Sequence, residues 1–153
     1  MSRLRDKLYL ADVVTTLVII LGFLSITIGS DPYLSSSLII IAGILDAIDG
    51  ILARRFGSSD TGLIYDSIAD IIAFCLAPSV VIYEYINLSF GFEISLALSL
   101  FFLITTLLHM RIFIDKQAVI GCPTTVAALA VCNSILVGIP VIVGLVSVLF
   151  SLF

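Results

Sequence analysis

Four aspartates occur in two closely spaced pairs within apolar sequence, and these residues are the best suited to chemistry. Asp46 and Asp49 are three positions apart, whereas Asp66 and Asp70 are four apart. In a helix either spacing places both side chains on one face, so each pair presents a single acidic patch. Oxygen ligands without clustered histidine or cysteine favour the hard cations magnesium, manganese or calcium over zinc.

Two helices joined by a tight turn must position these pairs. The pairings of residue 46 with 70 and of 49 with 66 are both centred near residue 58, so a hairpin brings the two patches to matching depth. With a helical rise of 1.5 Å per residue, Asp46 lies roughly 12 Å inward from Arg54. Each carboxylate there costs on the order of 3 kcal/mol, and a divalent cation would offset their repulsion. The alternatives are a cation-transport pathway or interhelical ion pairs.

The composition indicates that these helices lie in a membrane. The 153 residues are 61% hydrophobic and 12% charged, with a mean hydropathy of +1.29. Because a span needs roughly 20 apolar residues, the chain has room for about six. We expect an all-α polytopic membrane protein that forms a single domain over residues 1–153, with its active site between helices 2 and 3 near the cytosolic face. The expected spans are 9–29, 35–54, 63–83, 93–112, 122–138 and 140–153.

The distribution of basic residues predicts the orientation in the membrane. Every arginine and lysine lies at the N-terminus or in the second or fourth connection, which share one side of a six-span protein. The positive-inside rule therefore places both termini in the cytosol. The net charge of −4, without a long basic run, makes nucleic acid an unlikely partner. The compact chain without a targeting segment favours the plasma membrane of a bacterium or archaeon.

Small residues accompany the acids. Gly50 and Ala53 follow Asp49 on its helix, and Gly62 precedes Asp66. Such residues commonly allow two helices to pack closely. They could equally open a slot for a nucleotide beside the carboxylates.

The segment from Asp46 to Asp70 reads D-x-x-D-G-x-x-A-R, seven residues, then G-x-x-x-D-x-x-x-D. It resembles the signature of the CDP-alcohol phosphotransferases, in which the spacer is usually eight residues. The resemblance implies transfer of a phosphatidyl-type group from a CDP-linked lipid to an alcohol, with release of CMP. It implies that Asp70 is the general base. The residues that it implies bind a magnesium or manganese ion are Asp46, Asp49, Asp66 and Asp70. Those that it implies bind the CDP moiety are Gly50, Ala53, Arg54 and Gly62.

Two short elements resemble the phosphatidylserine and archaetidylserine synthases of that family. They are Ala77-Pro78-Ser79, and Arg111 followed by Ile120-Gly121-Cys122-Pro123. The resemblance favours L-serine as the acceptor, CDP-diacylglycerol or CDP-archaeol as the donor, and a homodimer. Glycerol phosphate or inositol phosphate is the alternative acceptor, and a small cation transporter is the alternative class.

Three further polar residues are candidates for substrate contacts. Arg111 and Lys116, at the cytosolic end of the fourth span, suit an anionic acceptor. Either side chain could instead snorkel to the interface. Thr16, near the cytosolic end of the first span, could contact the nucleotide, although membrane threonines often bond their own backbone.

Overall fold

The computed structural model describes the backbone of residues 2–56, 60–116 and 124–152, and the side chains of residues 13–52, 64–111 and 124–149. Every regular element in these ranges is helical, which confirms the expected all-α class. Residues 60–90 form one continuous rod, in which a π-helical segment separates two α-helices. The elements are α1 (Ser2–Thr27), α2 (Pro32–Phe56), α3 (Asp60–Asp70), the π-helical segment (Ile71–Leu76), α4 (Ala77–Phe90), α5 (Phe92–Lys116), α6 (Thr124–Val137) and α7 (Pro140–Leu152).

The ends of the helices agree with some of the connections predicted from hydropathy and disagree with others. The backbone N–H groups of Tyr33 and Leu34 each donate to Asp31 Oδ1 at 3.1 Å, so Asp31 caps α2 at the expected break. The break expected from Glu84 to Phe92 is wrong, because α4 continues to Phe90. Hydropathy falls in this range because several side chains are polar. The helix itself continues until Gly91, whose φ of 83° favours glycine. The helix α2 also continues beyond the expected end of its span.

Several helices are apolar enough to lie in a bilayer. Three described stretches have the length and hydropathy of a membrane span: Pro32–Leu52, Ile64–Phe90 and Phe92–Arg111. Three shorter described stretches are also apolar: Val13–Thr27, Thr124–Val137 and Pro140–Leu149. These helices indicate a membrane protein, and their order agrees with the arrangement expected from the sequence.

The distribution of side chains also fits a lipid environment. Large apolar residues such as Phe23 and Leu145 are exposed, whereas the small polar residues Ser25, Ser36 and Ser147 are buried. Lipid offers no hydrophobic gain for burying a large apolar side chain. Helices in a bilayer therefore associate through small residues and interhelical hydrogen bonds.

The helix α1 packs against its neighbours through one stripe of small or short side chains. All four members are buried, and they recur at intervals of three and four residues, which places them on one helical face: Thr15, Val18, Gly22 and Ser25. Towards the end of α1, the Ser25 hydroxyl donates to the Ser35 carbonyl at 3.1 Å, and the Ser35 hydroxyl donates to the Ser25 carbonyl at 3.0 Å. This reciprocal pair joins α1 to α2.

The helix α1 approaches the rod of residues 60–90 closely at Gly22. A Cβ atom placed on Gly22 would lie 2.8 Å from the Cα of Ala73, in the π-helical segment. Real Cβ atoms do not approach backbone atoms that closely, so this crossing requires glycine. The contact holds α1 against the segment that directly follows Asp70.

Candidate active site

Three carboxylates from two helices converge on one point. One carboxylate oxygen from each of Asp46, Asp66 and Asp70 lies within 4.8 Å of the corresponding oxygens of the other two. Asp46 comes from α2, while Asp66 and Asp70 lie one turn apart on α3. All three are partly buried. We call this group the aspartate cluster.

Asp49 lies outside the aspartate cluster but beside it. Its side chain is only 6% exposed, and Thr15 Oγ1 donates a hydrogen bond of 2.7 Å to Asp49 Oδ2. Coulombic repulsion nevertheless couples Asp49 to both Asp46 and Asp66. The four aspartates therefore form one region of negative charge, with three carboxylates drawn together and the fourth held by α1.

Two carboxylate oxygens in this region lack protein partners among the described residues. Asp49 Oδ1 and Asp70 Oδ1 are both buried without a hydrogen bond. A buried, unpaired carboxylate oxygen is costly, and a bound cation removes that cost. No other described group of three or more His, Cys, Asp or Glu residues converges in this way. The oxygen-only donor set thus fits magnesium or manganese.

The π-helical segment begins immediately after Asp70, and the sequence explains why it forms. The Ala77 N–H donates to the Ile72 carbonyl, five residues earlier, as in a π-helix. Pro78 has no N–H, and in an α-helix its ring would clash with the Phe74 carbonyl. Widening the helix accommodates that ring, and the Ser79 hydroxyl bonds the Leu76 carbonyl at 2.7 Å. The Ala77-Pro78-Ser79 element thus has a structural consequence next to Asp70.

A hydrogen bond next to the aspartate cluster in sequence joins α1 to α3. The hydroxyls of Thr16 and Tyr65 are hydrogen bonded at 3.2 Å, and Tyr65 immediately precedes Asp66. Sequence reasoning named Thr16 but missed Tyr65, although its position next to a candidate ligand was a usable signal. Sequence reasoning considered Thr15 as a possible nucleotide contact but did not predict its bond to Asp49, because the sequence does not fix the rotation of α1 relative to α2.

The other candidate residues are less closely defined. Gly50 lies on α2, one residue beyond Asp49, and is partly buried. Arg111 is exposed on α5. The side chains of Ala53, Arg54, Gly62 and Lys116 lie outside the described residues.

Comparison with known proteins identifies relatives of the chain. The family model for CDP-alcohol phosphatidyltransferase matches residues 8–153. A CDP-diacylglycerol-serine O-phosphatidyltransferase of Helicobacter pylori is 35% identical over 136 residues, covering 82% of this chain and 57% of the relative. A protein of the same name from Methanocaldococcus jannaschii is 34% identical over 134 residues, covering 84% and 61%. An archaetidylserine synthase of Methanothermobacter thermautotrophicus is 32% identical over 101 residues, covering 59% and 43%. The chain thus spans less than two thirds of the length of these relatives.

Proposed function

The chain belongs to the CDP-alcohol phosphatidyltransferase family, and from this premise we propose that it transfers the phosphatidyl group of a CDP-linked lipid to L-serine. The donor is CDP-diacylglycerol or CDP-archaeol, and the products are a phosphatidylserine-type lipid and CMP. The convergence of three carboxylates in the aspartate cluster carries this proposal. It is supported by relatives whose names specify serine as the acceptor.

In this proposal Asp46, Asp49, Asp66 and Asp70 hold a divalent magnesium or manganese ion. Phosphoryl transfer depends mainly on positioning and on neutralising charge, and the ion would supply the positive charge that neutralises the diphosphate of the donor. The buried Oδ1 atom of Asp49 accepts no hydrogen bond within the part of the chain that the structure describes, and it is available to the ion. The cluster therefore has both the charge and the available oxygens that the reaction needs.

Asp70 is the proposed general base. Its Oδ1 accepts no hydrogen bond from a described residue, so a lone pair is available for the proton of the attacking serine hydroxyl. A base must come within hydrogen-bond distance of that proton. The π-helical segment, which begins at Ile71, determines the backbone conformation directly after Asp70.

The remaining signature residues form the proposed CDP site. Gly50, Ala53 and Gly62 are assigned to it because their small size suits a nucleotide slot, and Arg54 because its cation suits the diphosphate. Thr16 contacts the nucleotide from α1, an assignment supported by its hydrogen bond to the hydroxyl of Tyr65, the residue before Asp66.

Arg111 and Lys116 are the proposed contacts of the acceptor, because the serine carboxylate is anionic. A guanidinium pairs with a carboxylate through two parallel hydrogen bonds. An acceptor bearing a phosphate, such as glycerol phosphate or inositol phosphate, would use the same cations and is the alternative within the family.

The proposed setting is a plasma membrane with six transmembrane helices, both termini in the cytosol and the site near the cytosolic face. The chain forms one domain, and we expect it to assemble as a homodimer. The alternation of basic connections along the sequence supports the orientation.

CMP release by the purified protein in detergent tests the proposed reaction. The assay compares L-serine, glycerol 3-phosphate and inositol 1-phosphate, with CDP-diacylglycerol or CDP-archaeol and Mn²⁺ present. The variant Asp70→Asn removes the base, while Asp31→Asn is its matched control, because asparagine caps a helix as well as aspartate. We expect serine-dependent CMP release that Asp70→Asn abolishes and Asp31→Asn retains. Release only with a phosphorylated alcohol would show that L-serine is not the acceptor. Cation flux in liposomes without CMP release would favour a transporter.

A further inference from the structure

The Thr15 hydroxyl has an acceptor of a different kind from those of several other described hydroxyls. Thr27 and Thr105 donate to carbonyls of their own helices, as does Ser134, which is the usual arrangement in apolar surroundings. The acceptor of Thr15 is a carboxylate on the neighbouring helix α2. The Thr15–Asp49 hydrogen bond is 2.7 Å long, an ordinary length for a hydroxyl donor.

The orientation of the Asp49 carboxylate follows from this bond. The carboxylate has two oxygens, and rotation about its terminal bond exchanges them. Thr15 engages Oδ2, so Oδ1 is left buried and without a partner among the described residues. The side chain is 6% exposed, so bulk water does not readily satisfy that oxygen.

Asp49 lies beside the aspartate cluster. Asp49 is close enough to repel both Asp46 and Asp66. An unconstrained carboxylate would turn away from that repulsion. The Thr15 hydroxyl opposes this rotation by stabilising one orientation of the side chain.

We infer that Thr15 is a positioning residue for the metal site: it holds Asp49 so that Oδ1 remains available to a divalent cation bound at the aspartate cluster. The inference rests on the proposed function only in requiring that the cluster binds such a cation. It makes α1 a structural participant in a site whose ligands lie on α2 and α3. Residues that orient metal ligands commonly contribute a roughly 10- to 100-fold increase in metal affinity.

A purely structural role for the same bond makes a different prediction. If Thr15 only joined α1 to α2, its loss would lower the stability of the metal-free protein and leave the intrinsic affinity for metal unchanged. If it positions Asp49, its loss weakens metal binding even when the metal-free protein remains equally stable. Metal binding and metal-free stability must therefore be measured on the same samples.

The test is the binding of Mn²⁺ to the purified full chain in detergent, without CDP-lipid or serine, followed by the electron paramagnetic resonance signal of free Mn²⁺. Thr15→Val removes the hydroxyl while keeping the shape of the side chain, and Thr15→Ser restores it. Thr105→Val is the matched control, because the Thr105 hydroxyl bonds carbonyls of its own helix. We expect Thr15→Val to raise the Kd for Mn²⁺ by roughly 10- to 100-fold, and the other two variants to bind within about threefold of the wild type.

The outcomes separate this inference from the proposed function. If the wild type binds Mn²⁺ and Thr15→Val binds it equally well, the positioning role is wrong and the metal site stands. If the wild type does not bind Mn²⁺, both are overturned. Should Thr15→Val fail to purify as a folded protein, Thr15→Ala removes the hydroxyl without a branched side chain and is judged by the same criterion.

Discussion

Replacing Gly22 by alanine adds one methyl group at a close helix crossing next to the site. The new Cβ would lie 2.8 Å from the Cα and 3.2 Å from the N of Ala73. Carbon atoms prefer separations of about 3.5–4.0 Å, so the two backbones must move apart by roughly 1 Å. Neither contact involves the end of a flexible side chain that could rotate away. We therefore expect α1 to be displaced from the rod of residues 60–90.

The size of the effect follows from comparison with two other helical glycines. A Cβ at Gly144 would lie 3.7 Å from Leu98 Cδ1, an ordinary contact, whereas one at Gly43 would meet the mobile Leu129 Cδ2 at 2.9 Å. All three substitutions gain about 1 kcal/mol of helix propensity, which cancels between variants. Overpacking costs about 1–3 kcal/mol, so Gly22→Ala should be less stable than Gly144→Ala by that amount. Gly43→Ala should lie between them.

Thermal unfolding in one detergent, followed by far-ultraviolet circular dichroism because the chain has no tryptophan, measures the difference. At about 2–4 °C per kcal/mol for a chain of this length, we expect the Tm of Gly22→Ala to lie roughly 2–12 °C below that of Gly144→Ala. Because Ala73 is one turn beyond Asp70, CMP release below either Tm should also fall about 10- to 100-fold in Gly22→Ala. Equal Tm values and equal rates in these two variants would refute the close-packing explanation.

Three further substitutions test other features of the structure. Pro78→Ala restores a backbone N–H and removes the ring, so the π-helical segment should revert to α-helix and CMP release should fall about tenfold or more; an unchanged rate with unchanged helicity would count against its role. Tyr65→Phe removes the hydroxyl bonded to Thr16 and should raise the KM for the CDP-lipid about 2- to 10-fold with kcat retained, whereas a change confined to kcat would contradict this. Ser25→Ala and Ser35→Ala each remove one hydrogen-bond donor of the reciprocal pair. Each should cost about 0.5–1 kcal/mol of stability, and two neutral variants would show that the pair contributes nothing measurable.

The sequence was sufficient to predict the convergence of acids on α2 and α3. Helical spacing fixes which residues share a face, and a short turn fixes their relative depth, so Asp46 could be placed opposite Asp70 without coordinates. The contact of Asp49 with Thr15 could not be predicted in this way. It depends on the rotation of α1, and a stripe of small residues such as Gly22 and Ser25 specifies close packing without specifying its partner.

Local backbone geometry explains the other differences. Pro78 inside an apolar span signals an irregular helix, but a kink and a π-helical segment are both compatible with that signal. Hydropathy placed a connection from Glu84 to Phe92 because it measures side-chain polarity. The helix continues through most of that range, and only the backbone conformation of Gly91 ends it.

The dependence of CMP release on Mn²⁺ tests the central claim most directly. Purified protein is first stripped with a chelator and then titrated with Mn²⁺ in the presence of CDP-diacylglycerol and L-serine, alongside Asp66→Asn and the control Asp31→Asn. We predict no release without metal, saturable recovery in the wild type and in Asp31→Asn, and little or no recovery in Asp66→Asn. CMP release that persists at full rate in the chelator, or that Asp66→Asn leaves unchanged, would contradict a metal-dependent reaction at the aspartate cluster.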